Sequence, residues 1–247
     1  KCKYPYDIKP VIKEVAGHFD KSRLNAINDY SLHTEYSFAK RNFDTSIINK
    51  FKTICEANKN GIPMLWHSKK WAEEFAGFIK ELTINAGSPK IIEIHPPFSD
   101  YSDIPSFIST YQVFEHRIKL FYPDVDILIE NRSGTRYSGG SFIVSSINEI
   151  VRLSEEIDKQ NINLKITLDI PQLFTTHAIS KVKIDLMIEL FDDVKNIRHN
   201  VAGIHLWGKR GSENGRRVAH IGDLNSYFYN DMNVKETFLK KKYDSHF

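Results

Sequence analysis

Val201-Ala202-Gly203-Ile204-His205-Leu206-Trp207-Gly208-Lys209-Arg210-Gly211 is the stretch from which the rest of the chain can be read. Its first half has the apolar run of a short buried strand, and the chain leaves that strand on an imidazole, His205. The text that follows sets Lys209, Arg210, Arg216 and Arg217 among glycines and then reaches a second histidine, His220. A histidine at a strand exit, followed by a basic glycine-rich loop, suits a site for a metal and an anionic substrate.

Toward the N-terminus the same grammar repeats. Residues 164–169 are an apolar run ending on Asp169, 126–130 one ending on Glu130, and 90–95 one ending on His95. Between the runs lie helical stripes. One spans 104–121 and closes at Tyr122-Pro123; another carries Ile147, Ile150, Val151, Leu153 and Ile157 behind Ser146; a third covers 184–194. Strands alternating with helices of ten or more residues predict parallel βαβ units. The exits fall about 35 to 39 residues apart, near the roughly 31 per unit of an eight-unit barrel. The expected fold is therefore α/β, a (β/α)8 TIM barrel. A doubly wound open sheet would explain the alternation but not a ligand-type residue at each exit, and no GxGxxG follows a strand.

Upstream the signals are shorter. Val11, Ile12, Val15 and Phe19 behind Pro10 have helical spacing, and 24–33 reads as a strand that exits into Thr34-Glu35-Tyr36. Asp44-Thr45-Ser46 offers an N-cap to a stripe of Ile47, Ile48, Phe51, Ile54 and Ala57. A brief strand at 62–67 precedes a firm amphipathic helix with Trp71, Phe75, Phe78, Ile79 and Leu82.

With 247 residues, 41% hydrophobic and 26% charged, the chain has the composition of one globular domain, 1–247. A net charge of +3 permits an anionic partner without implying a nucleic-acid footprint. Cys2 and Cys55 cannot build a disulfide framework, which points to a reducing, cytoplasmic setting. No run approaches the ~18 apolar residues of a membrane span. The first residue is not Met and the text after Asp223 offers no clear seventh and eighth strands, so the barrel is expected to be incomplete at one or both termini.

Barrel enzymes build their sites from the C-terminal ends of strands, so His95, Glu130, Asp169 and His205 are expected to converge. Imidazole and carboxylate donors without thiolate suit zinc or manganese. Glu130 could bridge two ions, the arrangement that clamps the attacking and leaving oxygens in phosphoester hydrolysis. Polar residues are also common at strand exits, and many histidines simply pack. His67 and His116 are read as surface or packing residues, Trp66 and Trp71 as core or rim aromatics. There is no GxSxG, P-loop or HExxH to anchor other chemistries.

With these residues assembled, the chain resembles the endonuclease IV family of apurinic/apyrimidinic endonucleases, within the xylose isomerase-like TIM-barrel superfamily. His33 in His-Thr-Glu-Tyr is similar to the family's His-x-x-Tyr, His95 in His-Pro-Pro to His-Pro-Gly, and Glu130 in Glu-Asn to its Glu-Asn. Asp169 matches the aspartate of Asp-x-x-His, His205 in His-Leu-Trp-Gly-Lys the histidine of His-Leu-Asn-Asp-Ser-Lys, and His220 the histidine of Asp-Arg-His. The resemblance implies a DNA-repair phosphodiester hydrolase acting on abasic duplex DNA with one to three divalent ions. His33, His95 and Glu130 would hold one ion; Glu130, Asp169 and His205 would hold a second, with His220 as a further ligand. Glu130, Asp169 and His205 carry the catalytic work, in which metal-activated hydroxide attacks a DNA phosphate. Lys209, Arg210, Arg216 and Arg217 hold the phosphates.

Departures from the family pattern open alternatives. Gln172 stands where the family has the histidine of Asp-x-x-His, and Val218 where it has the aspartate of Asp-Arg-His; His177 or Asp223 would have to substitute. The family's last glutamate has no counterpart. The long interval from His33 to His95 leaves His67 as an alternative first ligand. The same superfamily contains sugar isomerases and epimerases that use one divalent ion on a small sugar, and a truncated barrel could be a non-catalytic module.

Overall fold

The computed structural model describes residues 12–177, 184–205, 209–213 and 216–219. Six strands form one parallel sheet: β1 (Lys13–Gly17), β2 (Tyr30–Thr34), β5 (Ile91–Ile94), β6 (Asp126–Glu130), β7 (Lys165–Asp169) and β8 (Val201–His205). Two short antiparallel ribbons stand apart, β3 (Asn58–Lys59) with β4 (Ile62–Pro63) and β9 (Lys209–Glu213) with β10 (Arg216–Ala219). The helices are α1 (Lys52–Glu56), α2 (Lys69–Thr83), α3 (Ile104–Phe121), α4 (Ile147–Gln160), α5 (Ile170–Thr176) and α6 (Ile184–Asn196).

The order in the sheet, β1-β2-β5-β6-β7-β8, is the order in the chain. A doubly wound sheet reverses its order at a switch point; here there is no reversal, which is the winding of a (β/α) barrel. Curvature supports this. Strands in a sheet lie ~4.8 Å apart, so β2 and β8, four spacings from each other, would be about 19 Å apart if the sheet were flat. Yet the rings of His33 on β2 and His205 on β8 have centroids 6.2 Å apart, a gap that side chains standing off a flat sheet would not close. Among the described residues the barrel is not closed, since β1 and β8 are the two edges of the sheet. No helix among them is long and apolar enough to cross a membrane.

The two faces of the sheet differ. Ile92, Ile94, Ile127, Ile129, Ile166 and Leu168 point outward into one core with Trp71, Phe75 and Phe78 of α2, Phe107 and Phe114 of α3, and Ile150 and Leu153 of α4. The intervening residues line the inside of the curl. Parallel register sets them side by side: His33 beside Glu93, Glu130 beside Thr167, Asp169 beside His205. The inner face is polar toward its C-terminal end, as the polar residues at the strand exits require. Gly203 is required there, because a Cβ would meet Thr167 Oγ1 at 2.6 Å and Leu128 Cδ2 at 3.1 Å.

Helix starts are set by local chemistry. Ser68 and Asp103 each accept a hydrogen bond from the third residue of the helix they cap, and Ser146 and Glu149 form a reciprocal capping box. Several elements differ from expectation: the strand expected at 24–33 is only Tyr30–Thr34, and that at 62–67 only the Ile62–Pro63 arm of a ribbon. The helical spacing of Val15 and Phe19 is coincidental: 13–17 is strand β1, paired in register along β2. The stripe from Ile47 to Ala57 breaks into a 3-10 turn and the five-residue α1 at Phe51, although its apolar residues still face the core. Helix α5 follows β7 with no intervening loop, Asp169 serving as its N-cap with Pro171 in its first turn.

Candidate metal centre

Glu130, the last residue of β6, is buried and sits at the centre of the polar cluster. Its Oε2 lies 3.0 Å from His33 Nε2, 2.9 Å from His95 Nε2 and 3.8 Å from His205 Nδ1. Its Oε1 accepts a hydrogen bond from the Gln172 amide at 2.8 Å, and the same amide nitrogen donates to Asp169 Oδ2 at 3.0 Å. Glu93, from the middle of β5, brings Oε1 to 3.4 Å from His33 Nε2 and 3.3 Å from His205 Nε2. His33, Glu93, His95 and Glu130 can each offer a ligand atom within 4.8 Å of all the others, and so can Glu130, Asp169 and His205. Glu130 belongs to both groups.

The surrounding residues hold these side chains in place. Asn131 accepts from the Asp169 amide at 2.7 Å and donates to the Asp169 carbonyl at 3.2 Å, tying the exits of β6 and β7 together. Glu35, fully buried, accepts from Arg41 Nε and from the backbone of Phe19, Tyr36 and Ser37, which fixes the turn after β2. The Glu35 carbonyl lies 3.1 Å from His95 Nδ1, and the His95 carbonyl accepts from the Trp66 indole at 2.7 Å. Thr167 hydroxyl donates to Glu93 Oε2 at 3.3 Å.

The electrostatics are those of a site built for a cation. Burial, aided by the charges of His33 and Arg132, pushes His95 down to about 3 despite its hydrogen bond to Glu130. A neutral imidazole has one N–H, yet both nitrogens of His95 face acceptors, the Glu35 carbonyl and the Glu130 carboxylate. One lone pair therefore points at an oxygen, a conflict that a cation between them removes. Histidine ligands characteristically give the other N–H to a backbone carbonyl, as Nδ1 is placed to do here. Among the described residues Glu93 Oε1 is buried with no hydrogen bond of good geometry although two imidazole nitrogens converge on it. Imidazoles and carboxylates together fit a borderline divalent ion.

Burial lowers the His205 imidazole, but the Glu93 carboxylate 3.3 Å away and the charges of Glu130 and Asp169 outweigh it and raise it to about 10. His33 is likewise raised, burial being outweighed by Glu130, Glu93 and Glu14. Burial pushes the Glu130 carboxyl up, yet His33, His95 and His205 together hold it well below the usual range. In the metal-free protein His205 is thus protonated at neutral pH and His33 holds a proton more tightly than a free imidazole, so a cation would have to displace protons from this cluster. The apparent affinity for a divalent ion should therefore rise with pH through the neutral and mildly alkaline range, about tenfold per pH unit for each proton released. Isothermal titration of the metal at several pH values, in buffers of different ionisation enthalpy, reads both the affinity and the proton count. An affinity flat between pH 6 and 9 would contradict this arrangement.

Of the residues expected at the site, His33, His95, Glu130, Asp169 and His205 are brought together. His67 is exposed, and His177 accepts a hydrogen bond from the Ile147 amide at the start of α4. His220 and Asp223 lie outside the described residues. Lys209, Arg210, Arg216 and Arg217 lie on the β9–β10 ribbon, their side chains outside the described residues. Glu93 was missed, although a carboxylate inside Ile-Ile-Glu-Ile is itself a signal, because Glu is seldom buried without a partner. Trp66, read as a packing aromatic, also holds the His95 carbonyl.

No protein-family model matches the chain, and no curated protein matches it. Among solved structures it is similar to that of AsfvAP:AG, with 12% identity and a TM-score of 0.47, over 94% of this chain and 71% of the other. It is also similar to the probable 3-DHS dehydratase AsbF, involved in petrobactin synthesis, from Bacillus anthracis. That match has 11% identity and a TM-score of 0.42, over 87% of this chain and 68% of the other.

Proposed function

We propose that the chain is a divalent-metal-dependent phosphodiester hydrolase, of the kind that cleaves DNA at abasic sites. The observation that carries this is the sharing of Glu130 between two groups of potential ligands, one with His33, Glu93 and His95, the other with Asp169 and His205. Zinc and manganese are the ions that best suit such donors. An ion held there supplies Lewis-acid polarisation of a phosphoryl oxygen and a more acidic water. The chain's own residues do the rest. His33, Glu93, His95 and Glu130 would hold one ion and Glu130, Asp169 and His205 a second, while Gln172 fixes the spacing of Glu130 and Asp169. Asp169, at the start of α5, would serve the second ion and orient a water beside it. The Lys209, Arg210, Arg216 and Arg217 ribbon is the proposed contact to DNA phosphates, and His220 a further ligand.

One feature favours the second reading, a sugar isomerase or epimerase with a single ion. The Gln172 amide occupies Glu130 Oε1 and Asp169 Oδ2, oxygens that a second ion would compete for. Metal content of the purified full chain by mass spectrometry, with assays on abasic duplex DNA and on ketose–aldose conversion, separates the two. Two equivalents with strand cleavage are expected. One equivalent with sugar turnover would transfer the site to the isomerase class, and a chain that takes up no divalent ion would refute both.

A further inference from the structure

Arg132 lies two residues beyond Glu130, at the exit of β6, and is 8% exposed. Its guanidinium stands between two rings, 5.4 Å from the centroid of Tyr36 and 5.4 Å from that of Phe142. Nη1 is 3.6 Å from Glu130 Oε1, beyond hydrogen-bond length, and that oxygen already accepts from Gln172. Nε is buried with no hydrogen-bond partner among the described residues. Arg41, beside the same Tyr36 ring, behaves differently: its Nε reaches both oxygens of Glu35, at 3.0 and 2.8 Å.

A guanidinium carries five N–H donors and no acceptor, and burying it without acceptors is costly. Stacking on aromatic faces fixes the plane of the fork and leaves its edge for two oxygens, the geometry of carboxylate and phosphate recognition. We propose that Arg132, clamped between Tyr36 and Phe142, is the seat for an oxyanion of the substrate, phosphoryl or carboxylate, beside the Glu130 cluster. Half-exposed Phe38 and partly buried Tyr137, with ring centroids 5.4 Å apart, continue the aromatic wall from Tyr36 and Phe142. A ring-bearing substrate, nucleotide or sugar, has a face to stack on there. The proposal deepens the phosphodiesterase reading and rests on it for the substrate, whereas the seat rests on Arg132.

The test is isothermal titration of inorganic phosphate, with acetate as the carboxylate arm, into the manganese-loaded full chain and its R132Q and R132K variants. R132Q should weaken phosphate binding by about tenfold to a hundredfold with metal stoichiometry unchanged, and R132K should recover only part because an ammonium lacks the fork. Phosphate binding tighter than acetate assigns the seat to a phosphoryl group, and the reverse order to a carboxylate. Equal phosphate affinity in R132Q and wild type, or no binding of either anion by wild type, overturns the proposal. If the chain takes up no manganese, the same titrations on the metal-free protein still decide: Arg132-dependent binding keeps the seat and removes the metalloenzyme. Should R132Q fail to fold, protection of Arg132 in the wild-type chain from phenylglyoxal by phosphate, followed by peptide mass mapping, replaces it. An unchanged modification rate would overturn the seat.

Discussion

Replacing Glu130 by glutamine should lower the affinity for a divalent ion by at least about 100-fold and remove metal-dependent turnover. Loss of an outer partner of a ligand already costs 10- to 100-fold, and Glu130 is the shared inner group. Its Oε2 meets both His33 and His95, and its Oε1 meets Gln172. A glutamine offers one oxygen and one NH2 in place of two acceptors and a charge, so either the imidazoles or the Gln172 amide faces a donor. Competition with a chromophoric chelator gives the affinity, and circular dichroism checks that the fold persists. Wild-type affinity in E130Q would remove Glu130 from the centre of the site.

Phe75→Ala should be the most damaging single change on the outer side of the sheet. Phe75 is 1% exposed and stacks on Phe114 at 5.2 Å, with Trp71, Trp66 and Phe19 at 4.8, 5.7 and 5.9 Å. Truncating a buried phenylalanine costs about 3–5 kcal/mol, which in a domain of this size lowers the melting midpoint by roughly 6–20 °C. Differential scanning calorimetry reads it directly. Lys70→Ala, on the exposed face of the same helix, should change stability by less than about 0.5 kcal/mol. A loss below about 1 kcal/mol for Phe75→Ala would mean that this layer repacks freely. The damage should also reach the site, because Phe75 supports Trp66 and Trp66 holds the His95 carbonyl.

From α2 to β8 the elements other than α5 were legible because each carries a period or a cap that local physics enforces. The bounds of α3 and β6 are those the sequence predicts, and Ser146 caps α4 as its spacing requires. The first 60 residues were not legible for the opposite reason. In β1, Lys13, Glu14 and Ala16 are exposed, so an edge strand pairing along one side shows no alternation strong enough to compete with a chance i, i+4 pair. The break at Phe51 comes from packing, since Gly77 of α2 leaves room for the Phe51 ring, whose Cε1 would lie 2.9 Å from any Cβ there. At the site, strand exits were readable as positions, but contacts between strands were not. Glu93 shows this: nothing local marks an inward-facing carboxylate as the neighbour of imidazoles from β2 and β8. Gln172 was visible as a departure, whereas its grip on two carboxylates depends on α5 starting at Asp169 without a loop.

The sequential strand order has a consequence for how the protein assembles. The strands of the sheet follow one another in chain order, so it can grow one unit on the last, the longest closure being that from β2 to β5 across the β3–β4 ribbon. The cluster cannot. It needs His33 and His205 together, with everything between them already curled into place. The aromatic layer under α2 and α3 can therefore consolidate early, while ion-binding competence appears only when β8 docks. In a refolding experiment, capture of metal would be the last clock to stop.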